Sequence, residues 1–469
     1  MADDGGGSSN LLVIFGITGD LARKMTFRAL YRLESRKLLD CPVLGVASDD
    51  VSVEKLVERA RTAISDSGEK IDDAVFDRLA GRLDYVHGDV TDSELYDSLA
   101  KLIGSDYRPL FYLEMPPALF APIVENLAKV GLLQRAHVAI EKPFGHDLES
   151  ARELNKRLRA VLDEEQILRV DHFLGKQPVV EVEYLRFANL ALAGLWHRDS
   201  ISEVHITMAE DFGIEDRGKF YDQVGALRDV VQNHLLQVLA LVAMEPPVGP
   251  SADDLNDKKA EVFRAMPALD PERCVRGQYR GYTKVLGVAK DSQTETYVAL
   301  RTEIDNWRWT GVPIFLRAGK AMPEKVTEVR LFLRRVPGLS FLPKNRPAEP
   351  NQVVLRIDPD PGMRLQLSAQ VGDSWQDVHL DSSFAVDLGE PIRPYERLLY
   401  AGLTGDRQLF ARIDNIEQTW RIVQPLLDKP GKVHLYDPGS WGPEAAQSLL
   451  RGHRNWQEPW FPKSTPPAR

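Results

Sequence analysis

Short apolar runs alternate with helix-length amphipathic stretches over the first third of the chain. The runs are Leu11–Phe15, Val43–Ala47, Leu83–Val86, Leu110–Leu113, Val138–Ile140 and Ile167–Val170. After the first, Leu21, Met25, Ala29, Leu30 and Leu33 recur on one helical face. Such alternation predicts a parallel sheet covered on both sides, a doubly wound α/β fold. Beyond Asp171 the pattern changes. A helix is predicted over about Gln223 to Met244, and its apolar part, Leu235–Met244, broken by Gln237, reads as buried. Period-two segments follow: Val329, Leu331 and Leu333 alternate with Arg330, Phe332 and Arg334, and Val353, Leu355 and Ile357 repeat the pattern. With Thr296–Ile304 and Met363–Ala369 they predict a large, mainly antiparallel sheet in an α+β domain, one face packed on helices. A chain of 469 residues exceeds one ordinary domain. The expected division is a disordered Gly/Ser/Asp-rich tail over 1–10, an α/β domain over 11–171 and an α+β domain over 172–469, with a loop at Pro337–Pro350.

The segment Leu12-Val-Ile-Phe-Gly16-Ile-Thr-Gly19-Asp-Leu-Ala22 reads as strand, tight turn and helix start. Glycine permits the turn and lets backbone approach a pyrophosphate, whose charge is favoured at a helix N-terminus. A lone Gly-x-x-Gly also fits a structural turn. Its position at the head of a βαβ series favours a Rossmann-type dinucleotide-binding domain. Glu141-Lys142-Pro143-Phe144-Gly145 ends the fifth strand, where such sheets bind ligands. Lys142 there is either a surface turn lysine or one that reaches both a nicotinamide and a second substrate.

Composition narrows the partners. Lys and Arg number 59 against 69 Asp and Glu, a net charge of −10, so no global basic field awaits nucleic acid. An anionic substrate needs a local cationic cluster. No apolar run approaches the roughly 20 residues of a membrane-spanning helix, and the N-terminus lacks the charged flank and apolar centre of a signal peptide. The two cysteines, Cys41 and Cys274, show neither disulfide-framework nor zinc-site spacing, which fits a reducing, cytoplasmic setting and no metal.

Two stretches concentrate chemistry. Gly225-Ala-Leu-Arg-Asp229-Val-Val-Gln-Asn-His234 sets five polar residues into an otherwise apolar helix, which costs stability unless each finds a partner. Histidine, with a free pKa of about 6.5, suits a general base. Ile167-Leu-Arg-Val-Asp171-His172-Phe-Leu-Gly175-Lys176-Gln177 delivers an acid and two cations together at the end of a strand.

These motifs resemble the glucose-6-phosphate dehydrogenases, from about Leu11 to Trp456. The resemblance implies oxidation of D-glucose 6-phosphate at C1 to the 6-phosphogluconolactone, with hydride passing to NAD(P), at the entrance to the pentose phosphate route. It makes His234 the base and Asp171 its partner, brought from the preceding domain. His172 and Lys176 correspond to the phosphate grip, and Glu210, Asp229, Lys142 and Lys320 to sugar-binding groups, with Lys325 adding charge. Gly16, Thr18, Gly19, Asp20 and Leu21 correspond to the cofactor turn, Ser48 to the end of the second strand, and Asp89 and Val90 to the adenosine side. The family associates through its antiparallel sheet, which implies a homodimer or homotetramer. Two other readings stay open: a related dehydrogenase of a non-phosphorylated sugar, since Glu-Lys-Pro occurs there too, and a nucleotide-sensing protein with decayed catalysis.

The chain departs from the family pattern in places. Phe173 stands for a tyrosine, removing a hydrogen bond of about 1.5–3 kcal/mol to phosphate, and Gln177 stands for a glutamate. Val326 and Arg364 replace a lysine and a tyrosine of the second, structural NADP site that some members carry. Arg330 and Arg356 persist, and that site is expected to be absent. At the end of the second strand Ser48-Asp49-Asp50 stands where an arginine meets the 2′-phosphate of NADP. One like charge at about 8 Å opposes that phosphate by roughly 2 kcal/mol at a dielectric near 20. Arg23 or Lys24 offers compensation, so NADP and NAD are both expected. Ser48→Arg should shift the kcat/KM ratio toward NADP by at least tenfold; a wild type already preferring NADP a hundredfold, and unmoved by the change, would contradict this.

Overall fold

The structure, a computed structural model, describes residues 8–337, 350–372, 374–389 and 392–461. Most of the expected loop at Pro337–Pro350 lies outside them. Contacts divide the chain into two compact units that recombine distant segments. The first holds the described residues up to Gln177 with Val248–Asn256 and Ile392–Glu417; the second holds Pro178–Pro247, the described residues from Asp257 to 389, and the described residues from Gln418 on.

The first unit is built on β1 (Leu11–Phe15), β2 (Val43–Ala47), β3 (Leu83–His87), β4 (Pro109–Leu113), β5 (His137–Glu141) and β6 (Ile167–Val170). They pair in parallel in the order β3-β2-β1-β4-β5-β6. The near-continuous apolar runs follow from this arrangement: a strand buried on both faces has no solvent side to make polar. The order reverses between β1 and β4, so the crevice for a ligand opens at their C-terminal ends.

Two expectations change here. Ser9 and Asn10 do not belong to a disordered tail: the Ser9 N–H donates to Leu403 O at 2.7 Å, and Asn10 exchanges hydrogen bonds with Arg108. Met25 is exposed, because Ala22–Thr26 is a π-helical turn. Its wider winding turns Met25 off the face that Ala29, Leu30 and Leu33 bury. A helix from late in the chain, Pro394–Thr404, completes this unit. Its Gly402 lies so near β4 that a Cβ would meet Leu110 Cδ2 at 2.9 Å.

The second unit carries β7 (Ile201–Ala209), β8 (Cys274–Tyr279), β9 (Tyr297–Thr302), β10 (Ile314–Gly319), β11 (Val326–Leu333), β12 (Gln352–Asp358), β13 (Gly362–Val371), β14 (Ser374–Ser383) and β15 (Val433–Tyr436). Their order is β14-β13-β12-β11-β7-β10-β9-β8-β15, antiparallel except for β7 with β10 and β8 with β15. The central strands are buried at nearly every position, so the period-two pattern does not mark a solvent face. The polar positions are covered by the end of the chain. Arg317 lies between the rings of Trp441 and Trp456, 4.7 and 4.5 Å from their centroids. Arg330 donates to Gln457 and to Glu458 O, and Arg356 sits 4.1 Å from the Phe461 ring. Of the residues considered for a second nucleotide, Val326 is buried and Arg364 pairs with Asp381 at 2.7 Å. Both cysteines are free.

The predicted long helix begins after Gly225 and has two halves, a π-helical segment Leu227–Leu235 and an α-helix Leu236–Ala243 whose residues are all buried. Its last carbonyls, far from water, need donors. Arg186 donates to Leu241 O and Met244 O, both at 2.6 Å, Trp196 to Val242 O at 2.8 Å and Trp309 to Ala243 O at 2.7 Å. Arg186→Met keeps the apolar stem and strands two carbonyls. It should destabilise the protein by about 2–4 kcal/mol, read as a lower denaturation midpoint with unchanged slope.

Candidate functional site

Gly16 has φ +86°, and a Cβ there would stand 2.4 Å from Glu114 O, so the turn admits no side chain. The Gly16 N–H donates to Val46 O at 2.7 Å and the Gly19 N–H to Gly16 O at 2.8 Å, which folds the loop tightly over the ends of β1 and β2. Thr18, Gly19, Asp20 and Leu21 follow on the rim. This backbone cradle fits the pyrophosphate of a dinucleotide. Arg23 and Lys24, the expected compensating cations, pair with Asp20 at 3.0 and 3.7 Å in exposed contacts. Ser48 and Asp49 are exposed just past β2. Asp49 is not a bare negative charge, because Arg59 holds it at 2.9 Å, and this bond and one from Thr18 keep its carboxyl below the ordinary range. Asp89 is exposed beyond β3 and bonds Thr91, while Val90 is buried with its carbonyl on Tyr96.

Beside this cradle lies a buried acidic group. Glu141 accepts from Tyr112 at 2.5 Å, and burial pushes its pKa up to about 7 against the pull of that hydroxyl. Glu114, at the end of β4, accepts from Thr26; its second oxygen is sealed from solvent without a partner, and burial raises its pKa to about 8. Lys142 follows Glu141 directly and is joined to Pro143 by a cis peptide bond.

At the end of β6 Asp171 is buried and its Oδ1 accepts the Phe173 N–H at 3.0 Å, closing a tight turn. That turn sets His172 against the ring of Tyr395, stacked at 6.3 Å, and the Lys176 ammonium 4.4 Å from the buried Phe173 ring. Gly175 does serve close approach, but to the chain's own helix: a Cβ would meet Leu398 and Pro394 O at 2.9 Å.

In the second unit the π-helical segment decides which polar residues meet. On an α-helix, residues five apart diverge by about 140°; π-turns bring them into line. Asp229 and His234 thus share a face, and Asn233 donates back to Arg228 O at 3.0 Å. Lys320, buried at the end of β10, bonds Glu210 and stands 3.8 Å from Asp229. Its carbonyl accepts from Tyr436 at 2.7 Å. Lys325 stands apart from this group, exposed and paired with Asp358 at 3.1 Å.

Two family models divide the chain between them: "Glucose-6-phosphate dehydrogenase, NAD binding domain" matches residues 13–181, and "Glucose-6-phosphate dehydrogenase, C-terminal domain" matches 183–457. The chain belongs to the glucose-6-phosphate dehydrogenase family. It is 82% identical to glucose-6-phosphate 1-dehydrogenase 1 of Mycobacterium tuberculosis, covering 99% of this chain and all of that one. Among solved structures, glucose-6-phosphate 1-dehydrogenase from Mycobacterium avium matches with a TM-score of 0.93 at 78% identity, over 97% of this chain and all of the other. A glucose-6-phosphate dehydrogenase in complex with its substrate glucose 6-phosphate matches at 0.90 and 32%, over 98% and all. As a member of this family the protein is an oxidoreductase with an NAD(P)-binding domain. Among the described residues no helix is long and apolar enough to cross a membrane.

For this glucose-6-phosphate dehydrogenase family member, sequence reading missed Arg59, Glu114 and Tyr395. Glu114 alone carried a signal, being a carboxylate directly after the strand at the sheet's reversal. Its raised pKa has a consequence for stability. A carboxyl with a folded pKa above its unfolded one contributes fully below the unfolded value, here 4.5, and loses that contribution as pH rises through about 8. Glu114→Gln removes the titration. The variant should gain on wild type from pH 5 to pH 8 by about 1 kcal/mol or more, measured by denaturant unfolding at both values; parallel pH profiles would show that Glu114 titrates normally.

Proposed function

We propose that the protein oxidises glucose 6-phosphate at C1 to the 6-phosphogluconolactone with NAD(P) as acceptor. Family membership over both halves of the chain carries this reading. When bound, the nicotinamide takes the hydride from C1. The chain supplies the rest. His234 accepts the proton of the C1 hydroxyl at an imidazole nitrogen, and Asp171 orients the ring and stabilises the imidazolium. His172 and Lys176 hold the phosphate, and Glu210, Asp229, Lys142 and Lys320 hold sugar hydroxyls. Gly16, Thr18, Gly19, Asp20 and Leu21 cradle the dinucleotide, with Ser48 at the adenosine ribose and Asp89 and Val90 beside the adenosine. The Lys320–Glu210–Asp229 cluster supports the sugar assignment, because a buried ammonium between two carboxylates is a ready set of donors and acceptors. In this reading residues 11–171 serve the nucleotide and 172–469 the substrate, and the enzyme is a cytoplasmic homodimer or homotetramer. The β13–β14 hairpin supports self-association through its exposed Val371, Val378 and Leu380.

Absorbance at 340 nm with glucose 6-phosphate and each cofactor tests the activity, and equal use of glucose would favour a sugar dehydrogenase without a phosphate site. His234→Asn should lower kcat by orders of magnitude with little change in substrate affinity. A variant keeping more than a tenth of wild-type kcat would remove His234 from the role. Lys176→Ala should raise KM for glucose 6-phosphate far more than for glucose.

A further inference from the structure

Past the end of β2 the protein presents one ion pair that its cofactor turn does not itself require. Asp49 is anchored through its backbone: its carbonyl accepts from Tyr85 at 2.5 Å. Arg59 comes from the helix Val53–Asp66, and its Nη1 reaches Asp49 Oδ2 at 2.9 Å. Both side chains are about half exposed, at 40% and 49%, so parting them strands no buried charge. In doubly wound folds an acid just past the second strand takes the ribose 2′-hydroxyl, and a nearby arginine accommodates a 2′-phosphate. Here the two groups are already paired with each other.

We propose that Arg59 reads the 2′-phosphate of NADP by exchanging Asp49 for it, while Asp49 serves the ribose hydroxyl of NAD. This rests on the NAD(P) reading above and names the residue that sets cofactor choice. With NAD, the Asp49 carboxylate accepts from the 2′-hydroxyl and stays neutralised by Arg59. With NADP, the guanidinium swings to the phosphate, whose two oxygens match its fork better than an ammonium would. Of the other nearby cations, Arg23 and Lys24 pair with Asp20 in exposed contacts. Each cofactor therefore gains one partner and forgoes another, which makes dual use the built-in state. Ser48 contributes a neutral hydroxyl to either.

The test separates this exchange from the catalytic reading. Binding of 2′,5′-ADP and of 5′-AMP is measured calorimetrically on wild type, Arg59→Gln, Arg59→Lys and Asp49→Asn, with cofactor kcat/KM ratios alongside. Arg59→Gln should weaken 2′,5′-ADP at least tenfold and 5′-AMP far less, lowering the NADP/NAD ratio by a similar factor. Arg59→Lys should fall between, and Asp49→Asn should tighten 2′,5′-ADP by freeing the guanidinium. Equal weakening of both nucleotides by Arg59→Gln, or no effect on either, overturns the proposal. Absence of turnover of glucose 6-phosphate by the wild type would sink the catalytic reading and leave the binding comparison standing.

Discussion

A helix that carries polar side chains into a core must have both of its ends satisfied, and the second unit is arranged around that demand. At the start of Leu227–Ala243 the Leu227 N–H donates to Glu295, which two nitrogens of Arg276 hold at 3.1 and 2.6 Å. Gly225, with φ +70°, leaves room for that carboxylate, which a Cβ would meet at 2.5 Å. The far end rests on Arg186, Trp196 and Trp309. Between these clamps the winding can stay wide, and the wide winding aligns Asp229 with His234. Loosening either end would let the segment return to α geometry and separate them.

The first unit solves a different problem, that of holding acids out of water. Glu114 and Glu141 close the ends of β4 and β5, each with a hydroxyl donor, and each keeps a proton more readily than a free carboxyl does. A neutral acid costs far less to bury than an ion. The turn at Gly16 packs directly onto the Glu114 backbone carbonyl, so the residue that backs the cradle is also the one whose side chain is buried as an acid.

Much of this was legible. The strands of the first unit and the glycine turn follow from runs that have no reason to be apolar unless both faces are covered. The polar cluster before His234 announced itself by its cost. Other features had no local signature. A π-helical segment uses the same residues as an α-helix and differs in which of them meet, so residue spacing alone could not place Asp229 beside His234. Arg59 looks like any helical surface arginine until the fold brings it to Asp49, and Lys325 reads as part of a cationic set until Asp358 claims it. What covers the arginines of β11 and β12 had no signal nearby, because the aromatic cover comes from more than ninety residues downstream, as with Arg356 and Phe461.

The helix Pro394–Thr404 gives the protein a timetable. It belongs to a unit whose other strands end by Val170, and the Gly402 contact with β4 forms only after residues 178–391 have been made. At roughly 5–20 residues per second, synthesis leaves that apolar side of the sheet uncovered for on the order of 10–40 s. Nascent chains therefore pass through a stage in which the nucleotide cradle is encoded and its backing is missing, and it is then that chaperones and aggregation compete for Leu110 and Leu168.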